Sequence, residues 1–286
     1  MDQTHPPAEV DVDERLAASL VEAMLPEFAE YRPVLVDEGW DNVTYRLGPE
    51  LALRLPRREV AVELLLNEQR WLPEIAGWID LEVPVPVARG EPSDLFPWPW
   101  SVVRWIEGGT VESSSLDAED ASRLAAELGA LHRPASSDTP TNPFRGVPLG
   151  ERAEVVEPRL QRLGEPRLTH LWAAALEAEP PGRSVWLHGD LHPRNVIVRN
   201  GRLTGLIDWG DLCGGDVATD LACAWTLFES AARQAFLDAY PHDRGDRARA
   251  VGWAVNYGTG LIESGEPRHV PIGRDILRRL MEPAAR

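Results

Sequence analysis

The stretch WLHGDLHPRNVIV, residues 186–198, decides how this chain is read. Between two apolar, β-type runs it sets a histidine, an aspartate and, five residues later, an asparagine. Asp and Asn in a loop usually serve a turn and nothing more. The continuation changes that reading. Asn200-Gly201 lies between NVIV and RLTGLI, a strong two-residue hairpin signal. VIVRNGRLTGLID therefore reads as two short antiparallel strands that fold Asp208 back towards Asn195, with Asp190 five positions before it. Three oxygen-bearing side chains are expected at one edge of a small sheet.

Hard divalent cations take oxygen ligands, and Mg²⁺ commonly uses one or two protein groups and fills its shell with phosphate oxygens and water. Asn195 and Asp208 suit that role. Asp190 is then available to orient and deprotonate a hydroxyl. The order H-x-D-x-x-x-x-N, hairpin, Asp is the working set of a phosphoryl-transfer site. His188 is expected to shape the loop by bonding backbone rather than to carry protons.

Composition narrows the partners. With 46 acidic against 29 basic residues the net charge is −17, which repels nucleic acid and steers small cations inward. The chain has no lysine, so every fixed side-chain positive charge is an arginine. Two cysteines, Cys213 and Cys223, are too few and too far apart for a zinc site or a disulfide framework. With no leader-like start and no apolar run of about 18 residues, the expectation is a cytoplasmic protein without membrane contact, a monomer or weak dimer.

Along the chain, residues 13–25 read as a helix with Leu16, Leu20, Val21 and Met24 on one face, Asp13 as N-cap and Pro26 as its stop. Val34–Val36, Val43–Leu47 and Leu51–Leu55 read as strands with turns at Gly39 and Gly48-Pro49. Helical spacing returns over 59–76, followed by strands at 83–87 and 101–106. A further helix follows Gly108-Gly109, capped by Ser115 or Asp117, and the chain from Asp220 onward is mostly helical. The expected architecture is α+β in two lobes: residues 1–105 with an antiparallel sheet and a helix, and residues 106–286, mostly helical.

HGDLHPRNVIV, GLIDWGD and GDVATDLA together resemble the aminoglycoside phosphotransferases and their relatives, small-molecule kinases of protein-kinase-like, bilobal fold. The first lobe is similar too, with EGWDNVTYRL at the nucleotide-covering hairpin and LALRLPRR at the strand carrying the phosphate-holding cation. The similarity runs from about residue 35 to 225. GWDN and RLPRR-like strings also occur in the branch holding macrolide kinases and 2″-aminoglycoside kinases.

The resemblance implies nucleotide contacts at Gly39 and Asn42, with only one glycine where protein kinases have three. It puts Arg54 where the family has lysine, although strand alternation also allows a surface charge on the face opposite Leu53 and Leu55. A helix Glu should pair with it; Glu68 fits the pattern better than Glu63. Arg104, Trp105 and Ile106 would form the hinge that holds adenine or guanine. Asp220 either caps a helix or braces the catalytic loop.

The implied reaction moves the γ-phosphoryl of ATP or GTP, with Mg²⁺, to a hydroxyl of an aminoglycoside or related amino-sugar compound. A cationic acceptor would find carboxylates at Asp211, Glu229 and Glu263. A macrolide or metabolite kinase, or a non-catalytic nucleotide-binding module, remains open. A protein kinase fits less well, because Asp220 lies only twelve positions after Asp208 and leaves little room for a peptide-docking loop.

Overall fold

The computed structural model describes residues 7–113 and 116–282. The chain forms two compact units, Met1–Glu107 with Gly205–Gly210, and Gly108–Thr204 with Asp211–Arg286. The division departs from a simple cut at 105/106. Residues 205–210 join the first unit because Gly205 bridges Glu82 and the Leu206 N–H donates to the Glu82 carbonyl at 2.9 Å.

In the first unit, helix α1 (Glu14–Met24) starts where Asp13 accepts the Leu16 N–H at 2.7 Å, and ends at Pro26. Strands β1 (Pro33–Glu38), β2 (Asn42–Leu47), β3 (Leu51–Pro56), β4 (Pro86–Gly90) and β5 (Trp100–Arg104) make an antiparallel sheet in the order β1-β2-β3-β5-β4. Ala17, Leu20 and Val21 of α1 pack on Val43, Tyr45, Leu47, Leu53, Leu55 and Val102. Each large side chain so buried contributes roughly 1.5–3 kcal/mol. Helix α2 (Val60–Ile75) follows β3.

Two expectations shift here. The strand at 83–87 begins only at Pro86, since Pro84 lacks an N–H and the chain joins the sheet at an edge, where a proline is tolerated. Arg54 does lie on the face opposite Leu53 and Leu55, but β3 is an interior strand and Arg54 is buried rather than a surface charge.

The second unit opens with β6 (Gly109–Thr110) and α3 (Ala118–Leu131), whose N-cap is Asp117, accepting from Glu119 and Asp120 N–H at 2.9 Å. Ser115, the other candidate, lies outside the described residues. Helices α4 (Ala153–Leu163) and α5 (Pro166–Leu176) precede strands β7 (Val185–Leu187), β8 (Val196–Arg199), β9 (Arg202–Leu206) and β10 (Cys213–Gly215). Asn200 and Gly201 both have positive φ, +55° and +75°, as the tight β8–β9 turn requires. β6 pairs with β8, and β7 pairs antiparallel with β10. Helices α6 (Ala218–Leu221), α7 (Cys223–Leu227), α8 (Ser230–Ala239), α9 (Arg244–Glu263) and α10 (His269–Met281) complete the unit. α9 is its spine, burying Ala250, Trp253, Ala254 and Val255. Among the described residues no helix is long and apolar enough to cross a membrane.

Candidate active site

Within the first unit, Arg54 on β3 meets Glu68 on α2. One guanidinium nitrogen lies 2.8 and 2.7 Å from the two Glu68 oxygens, and another lies 3.3 Å from Asp208 Oδ1. Burial works against the Arg54 charge, but Glu68 and Asp208 outweigh it and raise the guanidinium above its ordinary value. Burial pushes the Glu68 carboxyl up, and Arg54 opposes this without cancelling it. Asp208 itself is exposed and sits at φ +59°, a conformation that Asp tolerates better than most residues. Glu63 makes no such pair among the described residues.

The turn between β1 and β2 is tied down by the two arginines that follow β3. Arg57 donates to the Gly39 carbonyl at 2.7 Å and pairs with Glu38, while Arg58 bonds the Trp40 carbonyl and Asp41. Gly39 N–H donates to the Asn42 carbonyl at 2.9 Å, and the buried Asn42 Oδ1 has no hydrogen-bond partner among the described residues. At the end of β5, Arg104 N–H is committed to Val85 and Trp105 N–H to Glu50, while Arg46 stacks 4.2 Å over the Trp105 ring. Of the three hinge candidates, Ile106 is left with an uncommitted N–H among the described residues.

Within the second unit, the loop after β7 is built around Asp190. Asp220 is fully buried and accepts the His188 and Gly189 N–H groups at 2.7 and 2.8 Å. It lies inside α6, whose N-cap is Val217, so the capping role is excluded and the carboxylate braces the loop. His132, held by Tyr240 at 2.6 Å, completes Asp220 from behind. Tyr257 on α9 donates to the Gly189 carbonyl at 2.6 Å. Buried His188 takes the Asp190 N–H on Nδ1, a backbone contact that shapes the loop.

The Asp190 oxygens are unequally engaged. Oδ2 receives Asn195 Nδ2 and His192 Nε2, each at 3.2 Å. His192 Nδ1 accepts the Arg194 N–H, so Nε2 is the ring nitrogen that faces Asp190. Oδ1 receives Arg145 Nη2 at 3.1 Å. Burial pushes the Asp190 carboxyl up, but His192 and Arg145 outweigh it and hold it well below the usual carboxylate range. Asn195 also donates to the Asp190 carbonyl at 2.9 Å, so its amide nitrogen is spent and its Oδ1 is the atom left to act as a ligand.

The three carboxylates expected to face an acceptor all have arginine partners. Asp211 takes Arg145 at 3.2 Å and Asn142 at 2.7 Å. Glu229 takes Arg278 and Arg279 at 2.6 and 2.9 Å, and Glu263 takes Arg159 at 2.5 Å together with Arg162. Sequence reasoning missed Arg145, Tyr257, His132 and the clamp of Arg57 and Arg58. His192 lies inside the stretch 186–198, between Asp190 and Asn195.

An antiparallel sheet with a helix carrying Glu opposite a strand cation, and a mostly helical unit presenting H-x-D-x-x-x-x-N, define a kinase-like phosphotransferase architecture. The model of the phosphotransferase enzyme family matches residues 34–254, and the chain belongs to that family. It is 28 % identical to viomycin phosphotransferase of Streptomyces vinaceus over 195 residues, 62 % of this chain and 67 % of that protein. It is 32 % identical to thiamine kinase of Salmonella typhi over 163 residues, 52 % of each. The chain spans from 23 % to 67 % of the length of such curated relatives. The fold is that of the GDP and kanamycin complex of APH(2″)-IIIa, with a TM-score of 0.70 at 19 % identity over 92 % of this chain and 97 % of that one. Macrolide 2′-phosphotransferase MphH from Brachybacterium faecium gives 0.60 at 22 % identity, covering 96 % and 100 %.

Proposed function

We propose that this protein is a Mg²⁺-dependent small-molecule kinase that transfers the γ-phosphoryl group of ATP or GTP to an alcohol hydroxyl. The observation that carries the reading is Asp190. It is a carboxylate kept ionised by its neighbours, fixed on a braced loop, with one oxygen doubly bonded and the other holding a single donor. Each carboxylate oxygen can accept two hydrogen bonds, so Oδ1 has room for an acceptor hydroxyl. As the acceptor oxygen bonds the γ-phosphorus, the bond from that phosphorus to the β–γ bridging oxygen breaks. The hydroxyl proton passes to Asp190 and nucleoside diphosphate leaves. The transition state is loose, so aim and charge balance count for more than base strength.

Asn195 and Asp208 are the residues assigned to Mg²⁺. The donor chemistry fits, because each retains an oxygen that no described residue occupies and both are hard ligands. When bound, the ion supplies charge neutralisation along the triphosphate. Arg54, fixed by Glu68, is assigned to phosphate oxygens, which its planar fork can hold two at a time. Gly39 and Asn42 cover the nucleotide, and Ile106 offers the base a backbone N–H.

The names of its relatives span kanamycin, viomycin, macrolide and thiamine acceptors. Our reading takes a hydroxyl on an amino-sugar or comparable compound as the acceptor, the protein acting in the cytoplasm, with antibiotic inactivation among the outcomes. The test is a screen of aminoglycosides, viomycin, macrolides, amino sugars and thiamine for phosphate transfer with both nucleotides. Mg²⁺-dependent transfer to one of these classes is expected. Nucleotide binding with neither transfer nor hydrolysis would identify a non-catalytic module instead.

A further inference from the structure

The phosphotransferase reading is the ground for one more step. We infer that Arg145 decides the chemistry next to the reacting hydroxyl: the acceptor carries an oxygen function there, not an ammonium.

Arg145 Nη2 bridges two carboxylates, lying 3.1 Å from Asp190 Oδ1 and 3.2 Å from Asp211 Oδ2, and its guanidinium lies 5.2 Å from the centre of the Tyr257 ring. Asp211 is anchored in turn by Asn142. The place beside Asp190 that a substrate ammonium would take is therefore filled by a cation of the protein's own. An ammonium brought against that guanidinium meets a like charge at contact distance, which is disfavoured. A guanidinium carries donors only, so a hydroxyl, ether or carbonyl oxygen adjacent to the reacting hydroxyl can bond to it and an ammonium cannot.

The pairs at Glu229 and Glu263 do not decide this. Those carboxylates are about half exposed, at 55 % and 43 %, and exposed pairs yield easily to a competing ligand. The Arg145 pairs have side chains only 21–26 % exposed and converge on Asp190 itself.

The experiment compares initial rates with trans-cyclohexane-1,2-diol and trans-2-aminocyclohexanol, acceptors that differ only in the group beside the hydroxyl. It uses the full chain, Mg²⁺ and ATP or GTP, with nucleotide hydrolysis in water recorded alongside. The wild type should prefer the diol by at least about tenfold in kcat/KM, the factor that a modest share of a like-charge penalty produces. Arg145→Met should erase or invert the ratio, and Arg145→Lys, which keeps the charge, should retain the preference. Equal or better use of the amino alcohol by the wild type would overturn the inference. So would an unchanged ratio in Arg145→Met, or hydrolysis with transfer to neither compound. A wild type that neither hydrolyses nor transfers would instead remove the phosphotransferase reading beneath it.

Discussion

Arg54 and Glu68 form a buried pair whose members depend on each other. Removing one partner leaves the other charge or its desolvated carboxyl unmatched, which typically costs about 3–5 kcal/mol, whereas replacing both by apolar groups is often nearly neutral. Arg54→Met should therefore lower unfolding free energy by about that amount, and Arg54→Met with Glu68→Leu should recover much of it while nucleotide affinity stays lost. Chemical denaturation of the two variants, with nucleotide titration of the double variant, checks this. At this scale the sequence was uneven. His188, Asp190 and Asn195 stand out because they interrupt apolar runs at fixed spacing. Arg145 does not, since it lies 45 positions from Asp190 in a loop without periodicity and acquires its partners only on folding. The Arg54 burial was likewise invisible, because alternation gives a face but not what covers it.

Among the elements, the loop carrying Asp190 depends on a close approach that only glycine allows. Gly189 sits at φ +88°, and a Cβ there would lie 2.4 Å from the Asp211 carbonyl oxygen. Gly201 in the β8–β9 turn also has positive φ, +75°, but a Cβ would meet open space. Gly201→Ala should thus cost only the left-handed strain of about 1–2 kcal/mol. Gly189→Ala should cost more and displace the loop, so that melting temperature and nucleotide turnover separate the two variants. A pH effect belongs here as well. Arg278, with Arg279, lowers the Glu229 carboxyl and ties the start of α8 to α10. A depressed carboxyl adds stability above its unfolded value and loses it as pH falls through the folded one. Glu229→Gln should cost at most about 1 kcal/mol at pH 7, as exposed pairs do, and nothing in acid below the carboxylate range. Matched unfolding curves at the two pH values measure it. The β2–β3 meander and the Asn-Gly hairpin were legible because turn chemistry is local. The β7–β10 ladder was not: β10 is Cys213-Gly214-Gly215, a segment of low strand preference paired by its tertiary neighbours.

For the whole molecule, 46 acidic against 29 basic residues make self-repulsion a general cost to the compact state. Screening shortens from about 10 Å at 0.1 M salt to about 3 Å at 1 M. Melting temperature should rise over that range, and a fall would show that specific arginine pairs outweigh the net field. The α+β class and the division into two lobes were legible from the change of periodicity after Gly108-Gly109. The return of residues 205–210 to the first unit was not, because it rests on the contact of Glu82 with Gly205 and Leu206 across a long sequence separation.

The central claim is that Asp190 aims an acceptor hydroxyl at a Mg²⁺-bound nucleotide. Its most direct test measures nucleotide affinity and phosphoryl-transfer rate side by side in the wild type and Asp190→Ala. The account predicts unchanged affinity with kcat lowered by at least about 10²-fold, the usual loss when a positioned general base is removed. Full turnover in a folded Asp190→Ala protein would contradict it.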